Sequence, residues 1–439
     1  MNRLLIQGGR VVDPRNGVDQ VRDLLVVGEK VAAVGHNIEP PPDAEILDAA
    51  GRVVIPGLVD SHVHISSRPE GYAMLAKAGV TTCLDMSGDP ARMREELQAA
   101  NTGLTAGFLY PITPGGSASG PDPSAEELRE IVGKAIEEGA FGVKILGGHV
   151  PLTPDATRRA IRAAADAGAY CAVHAGTTQN GSDIKGLEEL LALADGAPLH
   201  VAHVNSYCRG QVTGDAVQEA SLAVNMLRKA RNVKSESYLG LINGTSASIV
   251  DGAPKSNVTK TCLARRGYAL DRAGMEAAIR DGWARVHGVA GEERVLLSPE
   301  DGLAAFREGD TNVGVSFKVN SPAAAIALAA AQDGDGRFVV DAISTDGGGI
   351  PRNTTLKQGM GLVQYGALTL GELVLKAASK PALMLGLSRK GHLGVGADAD
   401  IVIFDEPAPA PETVIARGVP ILRDGALLRR KPCEAFPCS

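Results

Sequence analysis

The segment Asp60-Ser61-His62-Val63-His64 follows directly on the apolar run VVIPGLV. Side chains alternate along a strand, so His62 and His64 project to one face at its C-terminal end, where two imidazoles can share a cation. Read alone, the pair is equally a set of polar strand residues, solvated or hydrogen-bonded. The same residue types recur where other apolar runs stop: His174 closes AYCAVHAG, His203 closes LHVAHVN and Asp346 closes VVDAISTDG. Each alone reads as a buried, hydrogen-bonded strand end. Together, four histidines and an aspartate at four strand ends read as a set of nitrogen and oxygen ligands for divalent metal. Lys144 lies in Phe141-Gly142-Val143-Lys144-Ile145-Leu146, with apolar neighbours on both sides. A lysine in a buried strand needs a partner or a role. A salt bridge would satisfy it. So would reaction of its amine with carbon dioxide, which gives a carbamate whose oxygens can bridge two cations.

These residues meet only if their strand ends meet. Eight runs read as strands: GLVDSHVH, GVTTCLDM, TAGFLYP, FGVKILG, AYCAVHAG, LHVAHVN, NVKSESYL and VVDAISTDG. Helical patterns alternate with them, including PSAEELREIVGKAIEEG, PDATRRAIRAAADAG and GDAVQEASLAVNMLRKAR, the first two ending in a glycine suited to a helix C-terminus. Eight βα units predict a (β/α)₈ TIM barrel over 56–387, whose strand C-termini converge on one site. The stretch 240–337 is too long for a plain crossover and predicts an inserted subdomain or lid. Hairpin-like runs before residue 55 and after the helical stretch Thr369 to Leu387 predict that 1–55 and 388–439 together form a small β-sandwich domain.

Composition narrows the partners. With 44 Lys plus Arg against 51 Asp plus Glu, the net charge of −7 argues against nucleic acid and anionic membranes as partners. No apolar run approaches the roughly 20 residues that span a bilayer, and the opening MNRLLIQGGRVVDP predicts neither signal peptide nor membrane helix. Cysteines at 83, 171, 208, 262, 433 and 438 lack CxxC spacing, which fits a reduced cytoplasmic setting without a disulfide framework. Aromatic residues make up 3%, so a small polar pocket is expected rather than one of stacked rings.

The ordered motifs GxxIPGLVDSHVH, GVTTCLDM, GVKIL, VHAG, AHVNS and STDG span nearly the whole chain. In them the sequence resembles the metal-dependent amidohydrolase superfamily, and within it the hydantoinase, dihydropyrimidinase and dihydroorotase group. The resemblance implies a split β-sandwich around a (β/α)₈ barrel, a homodimer or homotetramer, and two divalent cations, zinc or alternatively manganese. His62, His64 and Asp346 would hold one cation, His174 and His203 the other, and N-carboxylated Lys144 would bridge them. It further implies hydrolysis of a carbon–nitrogen amide bond in a small molecule, most simply the opening of a cyclic amide, imide or ureide, with Asp346 as the catalytic proton carrier.

Departures from the group's pattern sharpen the reading. Hydantoinases place a tyrosine five residues beyond the bridging lysine as oxyanion donor. Here that residue is His149, whose imidazole can donate the same hydrogen bond. Dihydroorotases place an arginine two residues beyond the HxH motif, whereas this chain has Ser66, so dihydroorotase activity is not expected. SESYLGLINGTSAS and STDGGG also resemble N-acyl-D-amino-acid deacylases, which cleave linear amides and place a cysteine ligand just beyond the second strand. Cys83 lies inside that strand and reads as core, while GVSFKVNSP resembles the hydantoinases. The strand-four lysine argues against a deaminase, and six ligand-competent positions argue against a non-catalytic scaffold of the dihydropyrimidinase type. For substrate contacts, the turn GGGIPRN offers Arg352 and Asn353, the insertion offers Asn243, Ser246, Ser248 and Arg265, and Arg68 stands four residues beyond His64.

Overall fold

The computed structural model describes residues 2–429 and 431–436. Its central element is a parallel sheet of Leu58–His64, Val80–Asp85, Thr105–Ile112, Gly142–Leu146, Tyr170–His174, Leu199–Val201, Val233–Tyr238 and Ala342–Ser344, each strand paired with the next. Gly347–Gly348, continuing the eighth strand, pairs with Val63–His64 of the first and closes the ring. The eight runs expected as strands thus form the staves of a TIM-like barrel. Val80–Asp85 is buried at every position, as a strand covered on both faces must be.

The outer helices start where the sequence offers caps. Ser124 accepts from Glu127 N–H at the head of Ala125–Glu137, and Thr153 accepts from Ala156 N–H at the head of Pro154–Asp166. Gly139 and Gly168, at φ of 84° and 66°, follow those helices in the left-handed conformation that glycine reaches without strain. The helical stretch after Thr369 is not uniform: a π turn at Leu375–Ser379 separates Leu370–Val374 from Lys380–Met384. Pro381 has no N–H for the carbonyl four residues earlier, which accounts for the local widening.

Both ends of the chain build one nine-stranded sheet. Val53–Pro56 runs antiparallel to Ile401–Phe404 and joins the N-terminal strands to the C-terminal ones. Leu4, Ile6, Leu24, Val54, Ile401 and Ile415 form its core. The last described residues leave this sheet: Glu434–Ala435 pairs with Thr105–Ala106 of the third barrel strand, and Phe436 packs edge-on against Phe141. Within the long seventh crossover, Thr245–Ser246, Ala284–Ala290, Glu293–Leu296 and Gly314–Phe317 form a four-stranded sheet around a core containing Met275, Trp283, Phe306 and Phe317. The helix Pro322–Ala330 that follows packs on Ala216–Lys229 in the barrel's outer layer.

Among the described residues no helix is long and apolar enough to cross a membrane. Cys83, Cys171, Cys208, Cys262 and Cys433 are free thiols, with Cys83 in the barrel core, and Cys438 lies outside the described residues.

Candidate metal centre

The barrel's C-terminal strand ends enclose a cavity of about 40 Å³ lined by His62, His64, Lys144, His149, His174, His203 and Asp346, among others. Ligand atoms of His62, His203 and Asp346 lie within 4.8 Å of one another. His62 Nε2 and His64 Nε2 stand 3.3 and 3.1 Å from the same oxygen, Asp346 Oδ1. The rings of His174 and His203 are 4.3 Å apart between centroids.

Local backbone geometry is specialised for this convergence. His203 and Asp346 both adopt positive φ, 35° and 50°, a conformation uncommon for residues with a Cβ. Gly148 makes room for the neighbouring His174, since a Cβ there would sit 2.0 Å from His174 Nε2.

A buried carboxylate that sequence reading passed over organises the centre. Glu236, on the seventh strand, is fully buried, and its Oε1 lies 2.6 Å from both His62 Nδ1 and the His203 backbone nitrogen. Its other oxygen accepts from Ser344 Oγ. Burial opposes the charge, but His62 and His200 hold Glu236 well below the usual carboxylate range. An ionised oxygen only accepts, so His62 carries its proton on Nδ1 and presents the Nε2 lone pair to the cavity. The signal was available: a glutamate in a strand buried on both faces needs a role, by the argument applied to Lys144. Asp60 does similar work beneath the site, accepting from Thr345 Oγ1 at 2.5 Å and from His62 N–H at 3.1 Å. Glu236→Gln is expected to weaken zinc binding by roughly 10- to 100-fold, measured by competition with a chelator. Unchanged affinity would count against this positioning role.

The donors suit divalent metal. Burial pushes the His62 imidazole down to about 4 and holds His174 and His203 well below their ordinary value, so each ring is neutral with a lone pair to give. His203 Nδ1 is buried without a hydrogen-bond partner. His174 Nε2 is paired with Ser182 Oγ at 2.7 Å, leaving Nδ1. For Asp346 burial opposes ionisation, but Arg352, His62 and His64 keep its carboxyl well below the usual range. Lys144 is 1% exposed, and its Nζ has Met86 Sδ at 3.5 Å as hydrogen-bond partner. Burial lowers this amine to about 8 against the pull of Glu236 and Asp346, which leaves a neutral, nucleophilic fraction near neutral pH.

The sequence profile of the Amidohydrolase family matches residues 53–422. The chain belongs to the amidohydrolase family. This amidohydrolase is 28% identical to a dihydroorotase of Pelobacter propionicus over 443 residues, covering 92% of this chain and 90% of that one. It is 26% identical to a dihydroorotase of Geobacter metallireducens over the same shares of the two chains. In fold it resembles N-acyl-D-glutamate deacylase from Bordetella bronchiseptica, solved with zinc and a phosphonate inhibitor, at a TM-score of 0.70 and 16% identity over 99% of both chains. Dihydropyrimidinase from Brevibacillus agri has the same fold at a TM-score of 0.62 and 18% identity, over 99% of this chain and 98% of that one.

Of the residues expected to touch substrate, only some reach the cavity. Asn243 lines the amidohydrolase cavity, although its side chain also bonds Phe317 N–H at 2.8 Å and Cys262 Sγ at 3.5 Å. Arg352, Asn353 and Arg68 do not line that cavity. Arg352 is buried over the Tyr238 ring, with NH2 at 2.6 Å from Asp346 Oδ2 and Nε donating to the Asp346 carbonyl at 2.6 Å. It fixes Asp346. Asn353 closes its own turn through Gly348 N–H and C=O at 2.6 and 2.8 Å. Arg68 NH1 reaches the His64 carbonyl at 3.4 Å. Ser246 and Ser248 bond each other inside the insertion, while Arg265 lines a larger outer cavity.

Proposed function

We propose that this amidohydrolase is a metal-dependent hydrolase that opens a cyclic amide, imide or ureide. The observation that carries the hydrolytic reading is the convergence of His62, His64, Lys144, His174, His203 and Asp346 on one enclosed cavity. Two divalent cations, zinc or manganese, would be held by His62, His64 and Asp346 and by His174 and His203, and N-carboxylated Lys144 would complete the ligand set. Bound there, such cations supply water of lowered pKa and a polarised carbonyl.

The chain's own groups do the rest. Asp346, ionised and clamped by Arg352, is placed to take a proton from the attacking water and return it to the departing nitrogen. His149 has Nδ1 at 3.0 Å from Ser256 Oγ, which leaves Nε2 to donate to the oxyanion. Burial pushes this imidazole down to about 4, so it acts as a neutral donor. His149→Ala is expected to lower kcat by roughly 100- to 1000-fold at unchanged metal content. Loss of metal instead would make His149 a ligand or a support for one.

Ring opening is supported by the likeness to dihydroorotases across 92% of the chain. Dihydroorotate itself is not proposed, because Ser66 is tied to the neighbouring loop, its Oγ accepting from Asp89 N–H at 3.2 Å. The fold likeness to N-acyl-D-glutamate deacylase supports cleavage of a linear N-acyl amino acid as the second reading. Zinc titrated with bicarbonate into metal-stripped protein tests the hydrolytic reading: activity should rise with bound metal. Activity that ignores metal would overturn it.

A further inference from the structure

The structure holds a buried cation beside the reaction cavity that no carboxylate among the described residues neutralises. Among the described residues three arginines are buried: Arg209 at 8% exposure, Arg352 at 3% and Arg417 at 7%. Arg352 is paired with Asp346 and Arg417 with Glu434. Arg209 has only neutral partners, Asn320 Oδ1 at 2.9 Å from Nε and Ser206 Oγ at 3.1 Å from NH2. Among the described residues no carboxylate lies within ion-pair distance of it. Burying a guanidinium without a counter-charge is costly, and the cost is recovered when an anion arrives.

The position of Arg209 says where that anion sits. It follows the 3₁₀ turn Val204–Tyr207 that carries the chain away from His203. Arg209 lines both the 40 Å³ cavity of the metal ligands and an adjoining cavity of about 550 Å³. Val258, at the head of the insertion's helix Asn257–Ala264, lines both cavities as well, so Arg209 and this helix stand at the boundary between the two. The outer cavity adds the exposed Arg265, whose NH2 donates to the Arg209 carbonyl at 3.2 Å. Asp183, also on its wall, spends Oδ1 on the N–H groups of Lys185 and Gly186.

We infer that Arg209 is a specificity residue that binds a carboxylate on the substrate, so that the amide cleaved belongs to a carboxylate-bearing molecule. This rests on the hydrolytic reading of the adjoining site and narrows it. A planar guanidinium matches a carboxylate in two parallel hydrogen bonds, and a substrate with its amide carbonyl among the metal ligands would place its carboxylate at Arg209, on the boundary of the inner cavity. A neutral ring or neutral acyl amide would leave the charge of Arg209 unpaired.

The test uses zinc-reconstituted full-length protein and matched probes that differ only in charge: hydantoin-5-acetic acid against its primary amide, and N-acetylalanine against N-acetylalaninamide. Binding is measured by calorimetry and turnover by product analysis, for wild type, Arg209→Gln and Arg209→Lys. Wild type should bind the acid of at least one pair on the order of 100-fold more tightly than its amide. Arg209→Gln should erase that preference, and Arg209→Lys should keep part of it. A preference that survives Arg209→Gln means the carboxylate goes elsewhere, the zinc included, and overturns the inference. Wild type that shows no preference for either acid overturns it too, even where Arg209→Gln fails to fold. Charge-selective binding without turnover would strike the hydrolytic reading and leave the role of Arg209 standing.

Discussion

Asp346→Asn is expected to lower kcat by roughly 100- to 10,000-fold at saturating zinc, the range that a positioned proton carrier contributes. Asparagine keeps an oxygen at the cavity and tolerates the left-handed backbone of this position, φ 50°, better than most residues. It cannot take a proton from water, and it cancels the charge that Arg352 holds at 2.6 Å. The loss should therefore fall on kcat at saturating zinc, and the thermal unfolding midpoint should drop as well, because the buried Arg352 loses its counter-charge. A kcat within tenfold of wild type would remove Asp346 from the chemistry.

Lys144→Ala should abolish activity and reduce bound metal by more than the roughly 100-fold in affinity that loss of a supporting group causes. Short carboxylic acids, which can supply the missing oxygens, should partly restore both. The alternative role, a structural salt bridge, has a different signature: breaking a buried pair leaves an orphan charge and destabilises strongly, by about 3–5 kcal/mol. Lys144 Nζ contacts a thioether instead of a carboxylate, so the Ala variant should lose function without that penalty. Wild-type activity in the Ala variant, followed by turnover and metal content per chain, would sink the binuclear account.

Much of this was legible because strand periodicity and strand-end chemistry are local. The alternation in His62-Val63-His64 places both imidazoles on one face whatever lies elsewhere, and apolar runs between capped helices identify the eight staves. What faces what across the barrel is not local. The strands' tilt and stagger bring His62 as close to His203, 5.0 Å between ring centroids, as to its neighbour in the motif, His64, at 5.4 Å. Neither number follows from spacing.

Loops are least legible in a sequence, since their conformation is set by what they pack against. Arg352 looked like a substrate ligand because it follows Asp346 in a glycine-rich turn. The turn folds back so that the guanidinium closes on Asp346 itself. Arg209, in the loop after His203, carries no signal in the sequence, because an arginine in a loop is ordinarily solvated. Only the insertion, roofing the cavity with Val258 and reaching Arg209 through Asn320, makes it a buried charge. Glu236 was hidden for another reason: the serines flanking it in SESY make the strand look polar, although all three residues are buried.

The most direct measurement is mass spectrometry of the products formed by protein reconstituted with zinc or manganese and bicarbonate, offered hydantoins, dihydropyrimidines, cyclic imides and N-acyl amino acids together. The account predicts a single product equal to one substrate plus one water, the mark of an opened ring. Two fragments from an N-acyl amino acid, with every ring intact, would contradict ring opening and establish a linear deacylase. No hydrolysis of any member by fully loaded protein would contradict the assignment of carbon–nitrogen bond cleavage to this class of substrates.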